Sequence, residues 1–263
     1  MKKILIIGKK SFLGSNLKIF LSKFYKVDKF SFEEVLKKKS FFFKNFSHVI
    51  NTSIHKNYVN SKYNAKFDLD KIFLSKFEKV DFYYIFLNSR KIYFPKNNIK
   101  ENSKISPIDN YGKNKFLTEK FLKKKLKNKL ISLRISNVLG TRIYKNLRNN
   151  HKLFFDNFLE YKRNNKEISF NDDFKDFITI KQFSNIISKI IKLEVTGIYN
   201  VSLGKKIYVS EIVKWLDQNL YKKRKFTDSS KDSFTLSNKK LLRKIKINIT
   251  KNQVKSFCKS LIK

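Results

Sequence analysis

Residues Ile4 to Ile7 form an unbroken apolar run that stops at Gly8, and the segment after Gly14 carries Leu17, Phe20, Leu21 and Phe24 at helical spacing. This predicts a strand over Lys3 to Ile7, a glycine turn, and a helix over Ser15 to Lys23. Such a start narrows the choice of fold. A short, wholly apolar strand followed at once by a helix fits a parallel sheet whose faces are both covered by helices. A glycine turn that enters a helix also lets backbone N–H groups and the helix dipole hold a pyrophosphate. With only two glycines, Gly8-x5-Gly14 reads equally as an ordinary tight turn, and its place between strand and helix favours the phosphate reading.

The same alternation continues along the chain. Lys26 to Phe30, His48 to Ile54, Asp81 to Leu87 and Leu130 to Ile135 read as strands. Phe32 to Lys38, Phe67 to Phe77 and Tyr111 to Leu126 read as helices, the last with Phe116, Leu117, Phe121, Leu122 and Leu126 as its expected buried stripe. Ligands of such sheets bind at the carboxyl ends of the strands, and Gly8, Ser53, Ser89 and Asn137 all fall just beyond predicted strands. From Thr141 the pattern is less regular. Helices are expected over Phe154 to Tyr161, Phe183 to Ile191 and Ser210 to Leu220, the last capped by Ser210, with strands over Phe177 to Ile180 and Ile198 to Val201. No repeat or low-complexity linker separates the two halves.

Composition excludes several classes. The chain has 263 residues, 41% of them hydrophobic, enough for a real core and against disorder. Its longest apolar stretches, such as Phe82 to Leu87, fall far short of the roughly 20 residues that span a bilayer. Cys258 is the single cysteine, which fits a reducing compartment, and a cytoplasmic location is expected. The net charge of +39 points towards polyanions, yet it comes from lysine, in a chain also rich in Asn, Phe and Ile and with only 6 Gly and 2 Pro. A site selected for phosphate would favour Arg, whose fork binds it bidentately. Compositional drift and a solvated lysine surface is therefore the better reading. His48, His55 and His151 show no metal-ligand spacing, Trp215 reads as helix packing, and the 27 Phe read as core substitutes.

Tyr111-Gly112-Lys113-Asn114-Lys115 places a phenol and an ammonium four apart, on one face of a helix. A phenol is a poor base at neutral pH unless a neighbouring cation stabilises its anion, and Lys115 can be that cation. Spacing alone proves little. Tyr25/Lys29, Tyr58/Lys62 and Tyr221/Lys225 repeat it, as expected in a chain so rich in lysine. What sets Tyr111 apart is its surroundings, with Ser89 at a predicted strand end and four residues before Tyr93.

Taken in order, these segments resemble the extended short-chain dehydrogenase/reductases, also called NAD-dependent epimerase/dehydratases. Gly8 to Gly14 is similar to that family's GxxGxxG, and Val49-Ile50-Asn51-Thr52-Ser53 to its strand ending near the cofactor. Asn64 resembles a structural Asn of the following helix, and Asn88-Ser89-Arg90-Lys91-Ile92-Tyr93 resembles Ser-Ser-x-x-Val-Tyr. Glu101-Asn102, Pro107, Tyr111-Gly112, Lys115 and Glu119 reproduce the spacing ENx…PxxxYGxxKxxxE. Leu133 to Gly140 is similar to LRxxNvyG, Lys175 to Ile178 to RDFi, and Gly197 to Val201 to GxyNV. All six glycines (8, 14, 112, 140, 197 and 204) fall where that family commonly has one.

The resemblance implies a Rossmann-like, doubly wound α/β fold with a smaller intergrown C-terminal lobe. It divides the chain into a dinucleotide-binding domain, 1–140 with 176–200, and a substrate-binding lobe, 141–175 with 201–263. It further implies NAD or NADP as cofactor, a nucleotide-sugar substrate, and a homodimer as a common assembly. Tyr111 would exchange a proton with a sugar hydroxyl or carbonyl during hydride transfer, Lys115 would support it and hold the nicotinamide ribose, and Ser89 would orient the reacting oxygen. Gly8, Lys10, Ser11, Phe12, Leu13, Gly14, Thr52, Ser53, Ile135 and Val138 would line the cofactor with Tyr111 and Lys115. Ser89, Arg90 and Asn137 would meet the substrate. Several positions depart from the pattern. Ser11 replaces the middle glycine, with a hydroxyl that offers a phosphate contact. Ser31 stands near the usual ribose acid and Asp28 comes early for it, which with Lys9, Lys10 and Lys29 leans towards NADP. Lys181 and Gln182 replace acids after the RDFi segment. Arg90 and Lys91 stand where the 4,6-dehydratases carry an Asp-Glu pair, which argues against dehydration and leaves epimerisation or keto-sugar reduction. The rival reading is a degenerate member that holds RNA or another anion, which would have no need of Ser89, Tyr111 and Lys115 together.

Overall fold

The computed structural model describes residues 1–77, 81–144, 156, 158, 160, 170–223, 225–227 and 232–261. They form two compact units. The first comprises Met1–Phe94, Lys104–Ile135 and Ser184–Tyr199, and the second Pro95–Ser103, Ser136–Phe183 and Asn200–Lys263.

In the first unit the apolar runs become strands β1 (Lys3–Ile7), β2 (Lys26–Phe30), β3 (His48–Asn51), β4 (Tyr83–Ser89) and β5 (Leu130–Ile135). They lie in a six-stranded sheet in the order Gly197–Val201, β5, β4, β3, β1, β2. β2, β1, β3, β4 and β5 pair in parallel, so their carboxyl ends share one edge. Helices α1 (Phe12–Leu21), α2 (Phe32–Leu36), α3 (Lys56–Asn60), α4 (Leu69–Lys76) and α5 (Asn110–Leu126) connect them. The α/β class read from the sequence is thus the one observed. Leu5, Ile7, Val49, Tyr84 and Phe86 project from one face of the sheet into a core completed by Phe32, Phe43, Phe46, Phe73, Phe77 and Leu122. The phenylalanines meet in tilted and edge contacts, Phe43 and Phe77 with ring centroids 4.3 Å apart, which favours aromatic quadrupoles over face-to-face stacking.

Three local expectations differ. Phe24 is exposed, because α1 ends before it. Asn64 caps a short 3-10 turn, Ala65–Phe67, and the residue that caps α4 is Asp68. In α5 the buried face is Gly112, Asn114, Lys115, Thr118, Glu119 and Leu122, while Leu117 of the expected apolar stripe is exposed.

The second unit contains a parallel strand pair, Asn137–Leu139 with Phe177–Thr179. Buried Asp176 accepts N–H bonds from Leu203, Gly204 and Leu236 at 2.8 to 3.1 Å, although burial still raises its carboxyl to about 7. Glu101 accepts from the N–H of Asn200, whose amide donates to the carbonyls of Ile99 and Ser237. Two motif residues far apart in sequence therefore have a structural use. The helix read from Ser210 begins at Val209 with Tyr208 in the cap position, and ends at Leu216 before a second helix, Gln218–Lys222. The helix expected over 154–161 lies largely outside the described residues, as does His151. Among the described residues no helix is long and apolar enough to cross a membrane.

His48 begins β3, fully buried and stacked on Tyr83, and its Nε2 has no hydrogen-bond partner among the described residues. Burial and then the Lys2 charge lower its pKa from 6.5 to about 4, against a smaller upward pull from Glu194. The unfolded chain takes up this proton first, so the stabilisation is present above pH 6.5 and is lost as pH falls towards 4. Urea unfolding should show a loss of up to about 3 kcal/mol over that window that is absent in His48→Gln. An identical acid response in the variant would rule out His48 as its source.

Candidate active site

β1 ends at Gly8, whose φ of +119° is one that side chains rarely adopt, and a Cβ there would lie 2.3 Å from Thr52 Oγ1. The turn thus closes directly on the residues after β3. Ser11 caps α1, its Oγ accepting from Gly14 N at 2.9 Å. Thr52 Oγ1 lies 2.7 Å from the Ile7 carbonyl and 2.6 Å from Ser11 Oγ, which also reaches the Gly8 carbonyl at 3.2 Å. The Ser11 hydroxyl is thus engaged within the turn by Gly8 and Thr52. The first-turn donors left over are the N–H groups of Phe12 and Leu13, which helix geometry leaves without intrahelical partners. Lys10 is exposed beside them.

The edge beyond β2 is arranged differently from the sequence reading. Asp28 pairs with Lys3 at 3.0 Å, within the strand and away from its end. Ser31 and Glu34 form a capping box at the start of α2, and Glu34 also meets Lys9 at 3.0 Å. The Ser31 N–H, followed by Lys9, holds the Glu34 carboxyl below its usual range. Lys29 donates to Ser15 Oγ at 3.3 Å. Two of the three lysines that leaned towards NADP thus have partners of their own, and an acid lies three residues past Ser31. The S-x-x-E spacing of a capping box was the signal for Glu34.

Ser89 ends β4 and starts the turn Arg90–Ile92, its Oγ accepting from Lys91 N at 3.2 Å. This turn packs on the first turn of α5. A Cβ at Gly112 would come within 2.1 Å of the Lys91 carbonyl oxygen, so the glycine beside Tyr111 allows the approach. Lys91 Nζ also meets Asp109, the residue whose carboxylate caps α5 through Gly112 N at 2.7 Å. Burial pushes Asp109 up, and the bonds from Lys91 and Gly112 outweigh it, leaving the carboxyl below its usual range. Arg90 is buried.

Lys115 is 6% exposed, and its Nζ donates to the Leu87 carbonyl at 2.9 Å. The ammonium lies 4.6 Å from the ring centroid of Phe86, 5.7 Å from Tyr58 and 5.9 Å from half-buried Tyr111. It has three donors and, among the described residues, this one hydrogen bond, so a nearly buried cation has two donors to offer. Such a charge is costly to keep unless it is used. The structure thus brings Lys115 to the Tyr111 ring and packs the Ser89 turn against the Tyr111 turn. Ile135 is the cross-strand neighbour of Ser89. Asn137 and Val138 belong to the second unit, both half-buried.

Behind the site is a polar network that the sequence reading missed. Glu119 accepts from Arg134 Nε and Nη2 at 3.1 and 2.5 Å, from Asn88 Nδ2 at 2.7 Å and from Ser132 Oγ at 2.6 Å. Asn88 Oδ1 in turn accepts from Ser89 N, and Arg134 donates to the Tyr93 hydroxyl. Asp68 accepts from Thr118 and Tyr63, and Asp70 from Asn51 and Tyr84. Spacing marks Asp68 as a helix cap, but nothing in the sequence marks Asp70.

No protein-family model and no curated protein sequence matches the chain. Solved structures do. A UDP-N-acetylglucosamine 4-epimerase from Methanobrevibacter ruminantium, in complex with UDP-N-acetylmuramic acid, superposes with a TM-score of 0.79 at 17% identity, over 99% of this chain and 97% of that one. The Bordetella bronchiseptica enzyme WbmH, in complex with NAD+, gives 0.79 at 15% identity over 98% and 96%. A dTDP-4-dehydrorhamnose reductase from Clostridium acetobutylicum gives 0.75 at 17% identity over 98% and 99%. The chain shares their fold along almost its whole length.

Proposed function

We propose that the chain is an NAD(P)-dependent oxidoreductase or epimerase of nucleotide sugars, with Tyr111 as proton donor and acceptor. The observation that carries this reading is the nearly buried Lys115 ammonium, with two donors to spare, at the ring of Tyr111. The strand-edge glycine turn gives second support: it is too tight for side chains at Gly8 and Gly14 and presents the Phe12 and Leu13 N–H groups. The substrate class is supported by the nucleotide-sugar enzymes that share the fold.

In this reading Phe12 and Leu13 bind a pyrophosphate, with Gly8, Lys10, Ser11, Gly14, Thr52 and Ser53 shaping the turn around it. A nicotinamide dinucleotide held there supplies a hydride donor or acceptor. Lys115 spends its free donors on the ribose hydroxyls and places positive charge beside the phenol, where it favours developing negative charge on the oxygen. Ser89 Oγ donates to the reacting sugar oxygen, and Tyr111 passes a proton to or from it. Asn137 and Arg90 are assigned to the substrate, Ile135 and Val138 to the nicotinamide side. With Arg90 and Lys91 in place of an acid–base pair, epimerisation or keto-sugar reduction is the reaction expected. The engaged Lys9 and Lys29 leave NAD and NADP equally open.

The test is titration with NAD, NADH, NADP and NADPH by calorimetry, followed by incubation of the loaded protein with UDP- and dTDP-hexoses and their 4-keto forms. Cofactor binding together with epimerised or reduced product is expected. No binding of any of the four at millimolar concentration would reject the reading.

A further inference from the structure

Among the described residues no carboxylate is in contact with Lys115, although its charge is almost wholly buried. Asp70 is a carboxylate that senses the Lys115 charge without touching it. Asp70 is buried on α4, its Oδ1 accepting from Asn51 Nδ2 at 3.0 Å and from the Tyr84 hydroxyl at 2.7 Å. Asn51 is the cross-strand neighbour of Phe86, the residue whose ring carries the Lys115 ammonium. One turn beyond Lys115, Thr118 donates to Asp68 at 2.7 Å, which ties α5 to the start of α4 beside Asp70. Burial raises the Asp70 carboxyl above its usual range and the Lys115 charge pulls against that rise, so the two groups feel each other's field. The same carboxylate braces the turn region: Asn51, which donates to Asp70, accepts from Ser53 N at 2.9 Å.

We propose that Asp70 is the counter-ion of Lys115 and, through Asn51, the brace of the Ser53 loop, which makes it a positioning residue for the proton-transfer site. This rests on the assignment of Lys115 to that site. Asp70 itself touches neither substrate nor cofactor.

Urea unfolding of the wild type, Asp70→Asn, Lys115→Met and the double variant tests the pairing without any need for turnover. Asn keeps an oxygen acceptor for Asn51 and Tyr84 and removes the charge. In the wild-type background Asp70→Asn leaves a buried ammonium uncompensated and should lower the midpoint. In the Lys115→Met background it relieves a lone buried carboxylate and should leave the midpoint unchanged or raise it. Equal shifts in both backgrounds would overturn the proposal. If Asp70→Asn does not fold alone, folding of the double variant supports the pairing, and its failure to fold counts against it. A second readout is kcat per folded molecule, expected to fall about tenfold in Asp70→Asn with little change in KM. A purely structural carboxylate would leave kcat unchanged. Should the wild type turn over no nucleotide sugar, the assigned activity falls, and the unfolding cycle still decides the pairing.

Discussion

Tyr111→Phe is expected to lower kcat by roughly 10²- to 10⁴-fold, the range for loss of a positioned proton-transfer group, with cofactor affinity nearly unchanged. The substitution is conservative by every measure the structure offers. The ring that faces Lys115 at 5.9 Å stays, as do the Asp109 cap and the Gly112 contact with Lys91. Lys115 keeps its bond to the Leu87 carbonyl, which leaves the ribose contact proposed for it undisturbed. Only one hydroxyl is removed, and with it the proton that the proposed reaction needs. Steady-state turnover alongside calorimetric binding separates the two effects. Wild-type kcat in this variant would reject the role of Tyr111, and a matching loss of cofactor affinity would show that the residue serves binding.

Arg134→Met is expected to cost about 3–5 kcal/mol of stability, because it leaves the Glu119 carboxylate buried without its cation. The two side chains are 5% and 4% exposed and joined through two guanidinium nitrogens. Asn88 and Ser132 also donate to Glu119, but neutral donors do not replace a charge. The double variant Arg134→Met/Glu119→Gln should recover much of the loss, since removing both charges also removes their desolvation cost. Urea unfolding of the three proteins measures this. A loss below about 1 kcal/mol in Arg134→Met would place the pair in the range of exposed salt bridges and contradict its burial. The site should respond as well, since Asn88 links Glu119 to the backbone of Ser89.

The two networks explain where sequence reading failed. α5 was expected to bury Phe116, Leu117 and Phe121, because periodicity arguments treat buried positions as apolar. Leu122 is buried as expected and Phe121 and Leu126 pack against the core, yet the helix also buries Asn114, Lys115, Thr118 and Glu119, and each has a polar partner elsewhere: Tyr58 and Ser61 carbonyls, the Leu87 carbonyl, Asp68 and Arg134. Several of these partners lie 50 or more residues away, so no local window shows that such a face can be buried without penalty. Lysines lie over the half-buried rings of this helix, Lys120 over Phe116 and Lys71 over Phe121. The Ser210 cap failed for a similar reason. Ser210 meets Asp172 inside the helix, and the cap position passes to Tyr208.

By itself the sequence determined the strands, the glycine turn and the tyrosine–lysine spacing, because apolar runs, glycine positions and helical periodicity are local properties and survive a lysine-rich drift. Only the tertiary structure decided which polar groups are buried, that Ser11 closes on Thr52, and that Asn51 and Tyr84 hold Asp70. Those outcomes depend on hydrogen-bond and charge partners drawn from distant strands and helices, and their cost or benefit exists only once the chain has closed around them.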